Sequence, residues 1–229
     1  MDTPEEGSAQ ETGRAPSAFR PLVTWSILGL TVLMFLVQLV PGLGLIHRLG
    51  FVPALALEQP WRMLTVALVH DQPSPVHLLA NMIGLFFFGS FVERALGHAR
   101  FLVVYVLGAI GGSTMVLLLA DPLSRDWVTL NIGASGAVFA IVGVLLVPTR
   151  ALDRNIGGAV LFVALNFGYG FLVAGVSWQA HLGGLLTGFV LGCAALLVPR
   201  KASGITFALA AIGGLAAMGT GDVLRVLSA

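Results

Sequence analysis

Residues 180–198 read AHLGGLLTGFVLGCAALLV: no Asp, Glu, Lys or Arg, one histidine near the start, and a small residue at every fourth position. A helix that crosses a bilayer needs about 20 consecutive, mostly apolar residues, and this run meets that length. Ala180, Gly184, Gly188 and Gly192 fall on one stripe of such a helix, the pattern that lets membrane helices approach closely. His181, Gly184 and Gly188 share a face by the same spacing. An imidazole held against a close-packed membrane helix is costly to keep there, and ionisable residues so placed usually serve a function.

Working outward from this run, five more segments have the length and apolarity of spans: 22–40, 76–94, 100–120, 131–148 and 156–174. A seventh, 204–222, is rich in Gly and Ala and ends Gly219-Thr220-Gly221-Asp222. Composition agrees, with 57% hydrophobic and 10% charged residues against roughly 25% charged in a soluble domain. A soluble fold could not cover its surface with so few charges. The fold class expected is an all-α polytopic membrane protein, a six-helix bundle with a seventh C-terminal span. Three regions follow: a disordered tail over 1–20, a core of six spans over 21–199, and the extra span within 200–229.

The tail is polar, acidic on balance and dotted with Pro, Gly and Ser, a composition that cannot bury enough apolar surface to fold. It lacks the pattern of a signal peptide, because no small-x-small cleavage site follows the first apolar run; that run is expected to stay as an anchor. Between spans one and two, Pro41, Arg48, Pro53, Glu58, Pro60 and Arg62 interrupt every apolar stretch. Residues 41–75 therefore read as an interfacial, partly re-entrant loop, tolerable at that depth only under a cover of protein or water.

Charge sets the orientation. If the spans alternate, Arg14, Arg20, Arg94, Arg100, Arg150, Arg154, Arg200 and Lys201 lie on one side, and Arg48, Arg62, Arg125 and Arg225 on the other. Basic residues concentrate on the cytoplasmic side, which puts the N-terminus in the cytoplasm, the cell membrane being the expected location. The formal charge of +1 excludes the dense basic patch that nucleic acid demands. Cys193 is the only cysteine, so neither an intrachain disulfide nor a cysteine metal cluster is expected; no metal and no cofactor are called for, and Cys193 reads as a packing residue.

Spans two, four and six all start on the non-cytoplasmic side. His77 and Asn81 lie in the first turns of span two, Ser135 just inside span four and His181 just inside span six. Alternation alone brings these four polar residues to one depth below one membrane face. A serine and a histidine so matched are the minimum for nucleophilic catalysis, the imidazole taking the hydroxyl proton and returning it to the leaving amine. Asp71 is the one carboxylate near these openings, six residues before His77, so a Ser–His dyad is expected rather than a triad. Gly133, Gly136, Ala137, Ala140 and Gly143 on span four, facing Gly184 and Gly188 on span six, would let the two helices close to hydrogen-bonding reach of Ser135 and His181.

Taken together, these stretches resemble the rhomboid family over about residues 20–198. Gly133-Ala134-Ser135-Gly136 is similar to its Gly-x-Ser-Gly motif, Ala180-His181-Leu182-Gly183-Gly184 to its Ala-His-x-x-Gly motif, and His77-Leu78-Leu79-Ala80-Asn81 to the His-x-x-x-Asn pattern of span two. Pro60-Trp61-Arg62, followed by Leu64-Thr65, looks like the Trp-Arg element of the family's long first loop. The resemblance implies an intramembrane serine endopeptidase with Ser135 as nucleophile and His181 as general base. His77, Asn81 and the Ser135 N–H would form the oxyanion hole, and Trp61 and Arg62 would hold the loop.

One position departs from the family: where its familiar members carry tyrosine packed on the catalytic histidine, this chain has Phe139. An aromatic face for His181 is kept and a hydroxyl is lost. The implied substrates are transmembrane helices of other proteins, reached within membrane lipid past span five and the loop Gly175–Gln179. Helix-weakening residues near the scissile bond should help, since cleavage needs extended backbone.

Other classes fit less well. A rhomboid-like pseudoprotease that binds membrane helices without cutting them would usually lack the serine or the histidine, and both are here. A small transporter would need ion sites or broken helices at mid-membrane. A zinc protease would need His-Glu-x-x-His, which is absent from the sequence.

Overall fold

The computed structural model describes residues 19–149, 152, 157–172 and 177–229, with the backbone alone over 169–172. The described residues form helices and turns, with one isolated bridge between Phe51 and Asn131. Span one is α1, Leu22–Gln38. The long first loop carries two short helices, α2 at Leu45–Leu49 and α3 at Arg62–Thr65. Span two comprises α4 (Val76–Gly84), a π-turn over Leu85–Gly89 and α5 (Ser90–Leu96). Spans three to seven are α6 (His98–Leu119), α7 (Ser135–Leu145), α8 (Gly157–Leu172), α9 (Trp178–Leu196) and α10 (Arg200–Leu227).

Span two, α6, α9 and α10 are long and apolar enough to cross a membrane, so the seventh candidate span is a helix of that kind. The tail up to residue 18, Arg150, Arg154 and Gly175 lie outside the described residues.

Span four differs from its expected bounds. The apolar run 131–148 contains a helix of only 11 residues, starting at Ser135, about 16 Å long and roughly half the hydrocarbon thickness. Residues 131–134 are non-helical instead. Asn131 exchanges backbone hydrogen bonds with Phe51, and Gly133 donates to the Val66 carbonyl. Non-helical backbone survives at depth because the first loop supplies these partners. Every residue from Gly136 to Leu145 is buried, as befits a helix that is apolar all round. Ser135 is thus the first residue of a short central helix rather than a position within a long one.

The α7–α9 pair is the most extensive helix contact among the described residues. A Cβ at Gly184 would overlap the Gly136 carbonyl, and one at Gly188 would overlap the Ala140 carbonyl. Only glycine permits this separation, so the every-fourth-residue stripe is the surface on which α9 meets α7.

Polar groups lock the remaining parts. Arg62 is buried and donates from Nε to Gln59 Oε1 and from Nη1 to the carbonyls of His47 and Gly50, while Ser113 of α6 donates to the Met63 carbonyl. Neighbouring Trp61 stays half exposed. The first amides of α1 have no intrahelical acceptor. Buried Glu93 of α5 takes them instead, accepting from Val23 N, Thr24 N and Thr24 Oγ1 at 2.9, 2.8 and 2.6 Å. At the other end of the bundle, Asp222 of α10 accepts from Thr114 Oγ1 of α6 at 3.2 Å, and Arg225 donates to the Ala120 carbonyl while lying over the Trp127 ring.

Candidate active site

Ser135 opens α7 two residues after Gly133, whose φ of +114° is a conformation that L-residues with side chains rarely adopt. Space makes the same demand at this glycine. A Cβ there would stand 2.7 Å from Nε2 and Cε1 of His77, so the His77 ring lies directly on the backbone two residues before Ser135. The turn that follows makes Ala134 the N-cap, its carbonyl accepting from Val138. The N–H groups of Ser135 and Gly136 belong to the first turn and have no acceptor within the helix. They form a positive pole at the head of α7.

His181 lies in the first turn of α9 and is 4% exposed. Its ring stacks on Phe139 with centroids 4.2 Å apart and planes 4° from parallel. Phe139 is one turn beyond Ser135, and residues four apart share a helix face. The imidazole is therefore carried to the face of α7 that begins with Ser135. Its Nδ1 has no hydrogen-bond partner among the described residues; the contacts that fix the ring there are stacking and burial. Phe167 of α8 stands edge-on to the same ring at 6.1 Å and to Phe139 at 5.6 Å.

Asn81 is buried one turn beyond His77 and donates from Nδ2 to the His77 carbonyl at 2.9 Å. An amide nitrogen carries two hydrogens, so one remains for another acceptor. Of the expected residues, His77 meets Gly133 directly, His181 and Phe139 meet face to face, and Gly136 meets Gly184 along the helix pair. Asn81 reaches this group through His77.

His70 is a participant that attention to the spans alone overlooks, because it lies in the first loop. It is fully buried, its Nε2 accepts the Ala134 N–H at 3.4 Å, and its ring stands edge-on to His77 at 5.2 Å. Gln38 at the end of α1 fixes the His70 backbone from both sides, donating to its carbonyl at 2.9 Å and accepting its N–H at 3.2 Å. Burial first, and then the neighbouring His77, push the His70 imidazole down from 6.5 to about 3, so it is neutral and can accept. The signal in the sequence was an ionisable residue ending the apolar run Val66-Ala67-Leu68-Val69.

Ser135 at a helix head, His181 stacked on Phe139 and His77 over Gly133 thus lie together inside one helical membrane bundle. A family profile described as the Rhomboid domain matches residues 57–198. RHOMBOID-like protein 4 of Arabidopsis thaliana is 36% identical over 150 residues, 62% of this chain and 36% of that protein. Rhomboid protease GluP of Bacillus subtilis (strain 168) is 31% identical over 193 residues, 79% of this chain and 36% of that protein. YdcA of the same organism, also rhomboid-named, is 33% identical over 180 residues, 75% of this chain and 86% of that protein. The chain belongs to the rhomboid family, whose members are in general intramembrane serine proteases, and it is an integral multi-pass membrane protein. It spans about a third of the length of the first two relatives, and α10 lies beyond the matched segment.

Proposed function

We propose that this chain is a serine endopeptidase that cuts transmembrane helices of other proteins near the non-cytoplasmic face, through a dyad of Ser135 and His181. The observation that supports it most is the parallel stack of His181 on Phe139, one turn from Ser135 on the same face of α7. His181 takes the hydroxyl proton as Ser135 Oγ attacks the scissile carbonyl, then delivers it to the leaving amine. The oxyanion forms at the head of α7, where the Ser135 N–H, the remaining Asn81 N–H and the His77 ring are the donors; loss of one such donor lowers turnover about 10²–10³-fold. Water then releases the acyl product by the same proton path in reverse. His70 keeps Ala134 and the His77 ring in place.

The core of this reading is residues 21–199, with α10 as an added seventh span, the N-terminus in the cytoplasm and the cell membrane as the site of action. Substrate helices arrive through lipid past α8. The loop Gly175–Gln179, expected to border that path, lies partly outside the described residues.

The test is cleavage of a single-span substrate in liposomes by wild type, Ser135→Ala and His181→Ala. Cleavage by wild type that both folded variants lose supports the dyad. Cleavage that survives Ser135→Ala overturns it. A wild type that neither cleaves nor reacts at Ser135 with a fluorophosphonate belongs with helix-binding relatives that do not cut.

A further inference from the structure

Asn166 is a carboxamide in the middle of α8, a helix otherwise built from Gly, Ala, aliphatic and aromatic residues. A polar side chain in a membrane helix is expensive and faces the bundle interior or a wet cavity as a rule. Along this helix Phe162, Val163, Asn166 and Phe167 are half-buried, while Val160, Leu161, Ala164, Leu165 and Gly168 are exposed. On a helical projection Asn166 falls between Phe162 and Phe167. Both of these rings contact Phe139, at 5.5 and 5.6 Å, and Phe162 also reaches Phe88 across from span two, at 5.1 Å. The carboxamide therefore sits on the face turned toward the Phe139–His181 stack. It donates one N–H to the Phe162 carbonyl at 2.8 Å, and its oxygen accepts no hydrogen bond among the described residues.

That leaves one N–H to donate to a backbone C=O and one oxygen to accept from a backbone N–H. A substrate helix must unwind before Ser135 can reach a carbonyl, and each backbone group freed in a water-poor setting is costly until it is paired. The neighbouring inner residues of α8, Phe162, Val163 and Phe167, cannot pair it. We propose that Asn166 is a substrate-binding residue that hydrogen-bonds the peptide backbone of the unwound substrate segment beside the reacting bond. This rests on the proteolytic reading above.

The experiment compares wild type, Asn166→Leu and Asn166→Gln as full chains in liposomes, measuring kcat/KM on a single-span substrate and the fluorophosphonate labelling rate of Ser135. The small probe has no peptide backbone to bind. Asn166→Leu is expected to lower kcat/KM about 5- to 30-fold, the loss of one or two backbone hydrogen bonds, with labelling unchanged; Asn166→Gln, which keeps the amide, should recover most of it. Wild-type kcat/KM in Asn166→Leu overturns the proposal, as does a parallel fall in labelling, which would make Asn166 a packing residue. A wild type that neither labels nor cleaves removes the proteolytic reading, and this inference with it.

Discussion

Replacing Phe139 tests what its ring, stacked on His181, contributes. Phe139 is 1% exposed and meets three rings: His181 face to face at 4.2 Å, Phe162 at 5.5 Å and Phe167 edge-on at 5.6 Å. Leucine keeps most of the volume and removes every ring contact. An aromatic pair contributes about 0.5–1.5 kcal/mol beyond its buried area, so three lost contacts should destabilise the protein by roughly 1.5–4.5 kcal/mol. The catalytic effect depends on the His181 stack alone. If that energy orients the imidazole for attack, its loss lowers kcat by about 2- to 13-fold with little change in KM. Phe139→Ala opens a cavity as well, and should cost about 3–5 kcal/mol and lower kcat further. Phe139→Tyr keeps the stacking face and should keep kcat within about threefold. The assay is initial rates of substrate cleavage in liposomes, with thermal unfolding recorded for each variant. A folded Phe139→Leu enzyme with lowered stability and wild-type kcat would refute the positioning role and leave Phe139 as packing.

Three further outcomes are expected. Gly188→Ala forces a methyl into the Ala140 carbonyl and should destabilise the protein by about 1–3 kcal/mol, read from unfolding midpoints, whereas Gly213→Ala, which meets nothing within 4 Å, should not. His70 has a folded-state pKa below its ordinary value of 6.5, so its contribution is fully present above about pH 6.5 and is lost as pH falls toward 3, at up to about 1.4 kcal/mol per pH unit. His70→Gln, which cannot titrate there, should flatten that part of the stability–pH curve, and an unchanged slope would reject the assignment. Reporters fused after residue 201 and after residue 229 should lie on opposite sides of the membrane if α10 crosses it; agreement between them would show that it does not.

The sequence by itself determined the class of molecule and singled out a short list of candidate residues. Hydropathy found the apolar helices because a charge in lipid is costly wherever the chain places it. The same economy of polar groups made Ser135, His181, His77 and Asn81 conspicuous, and the Ala180–Gly192 stripe announced a close helix contact. What hydropathy could not tell is which segments lie against one another. Residues 131–134 open the apolar run 131–148, yet they are not helical, since Phe51 and Val66 from the first loop meet their backbone groups. His70 and Asn166 gained meaning only when folding set one under Ala134 and the other on the inner face of α8. The stack of Phe139 on His181, expected from the family resemblance and not from hydropathy, likewise joins residues from different helices. Periodicity records how each segment meets its surroundings; the tertiary structure alone decides which side chains those surroundings contain.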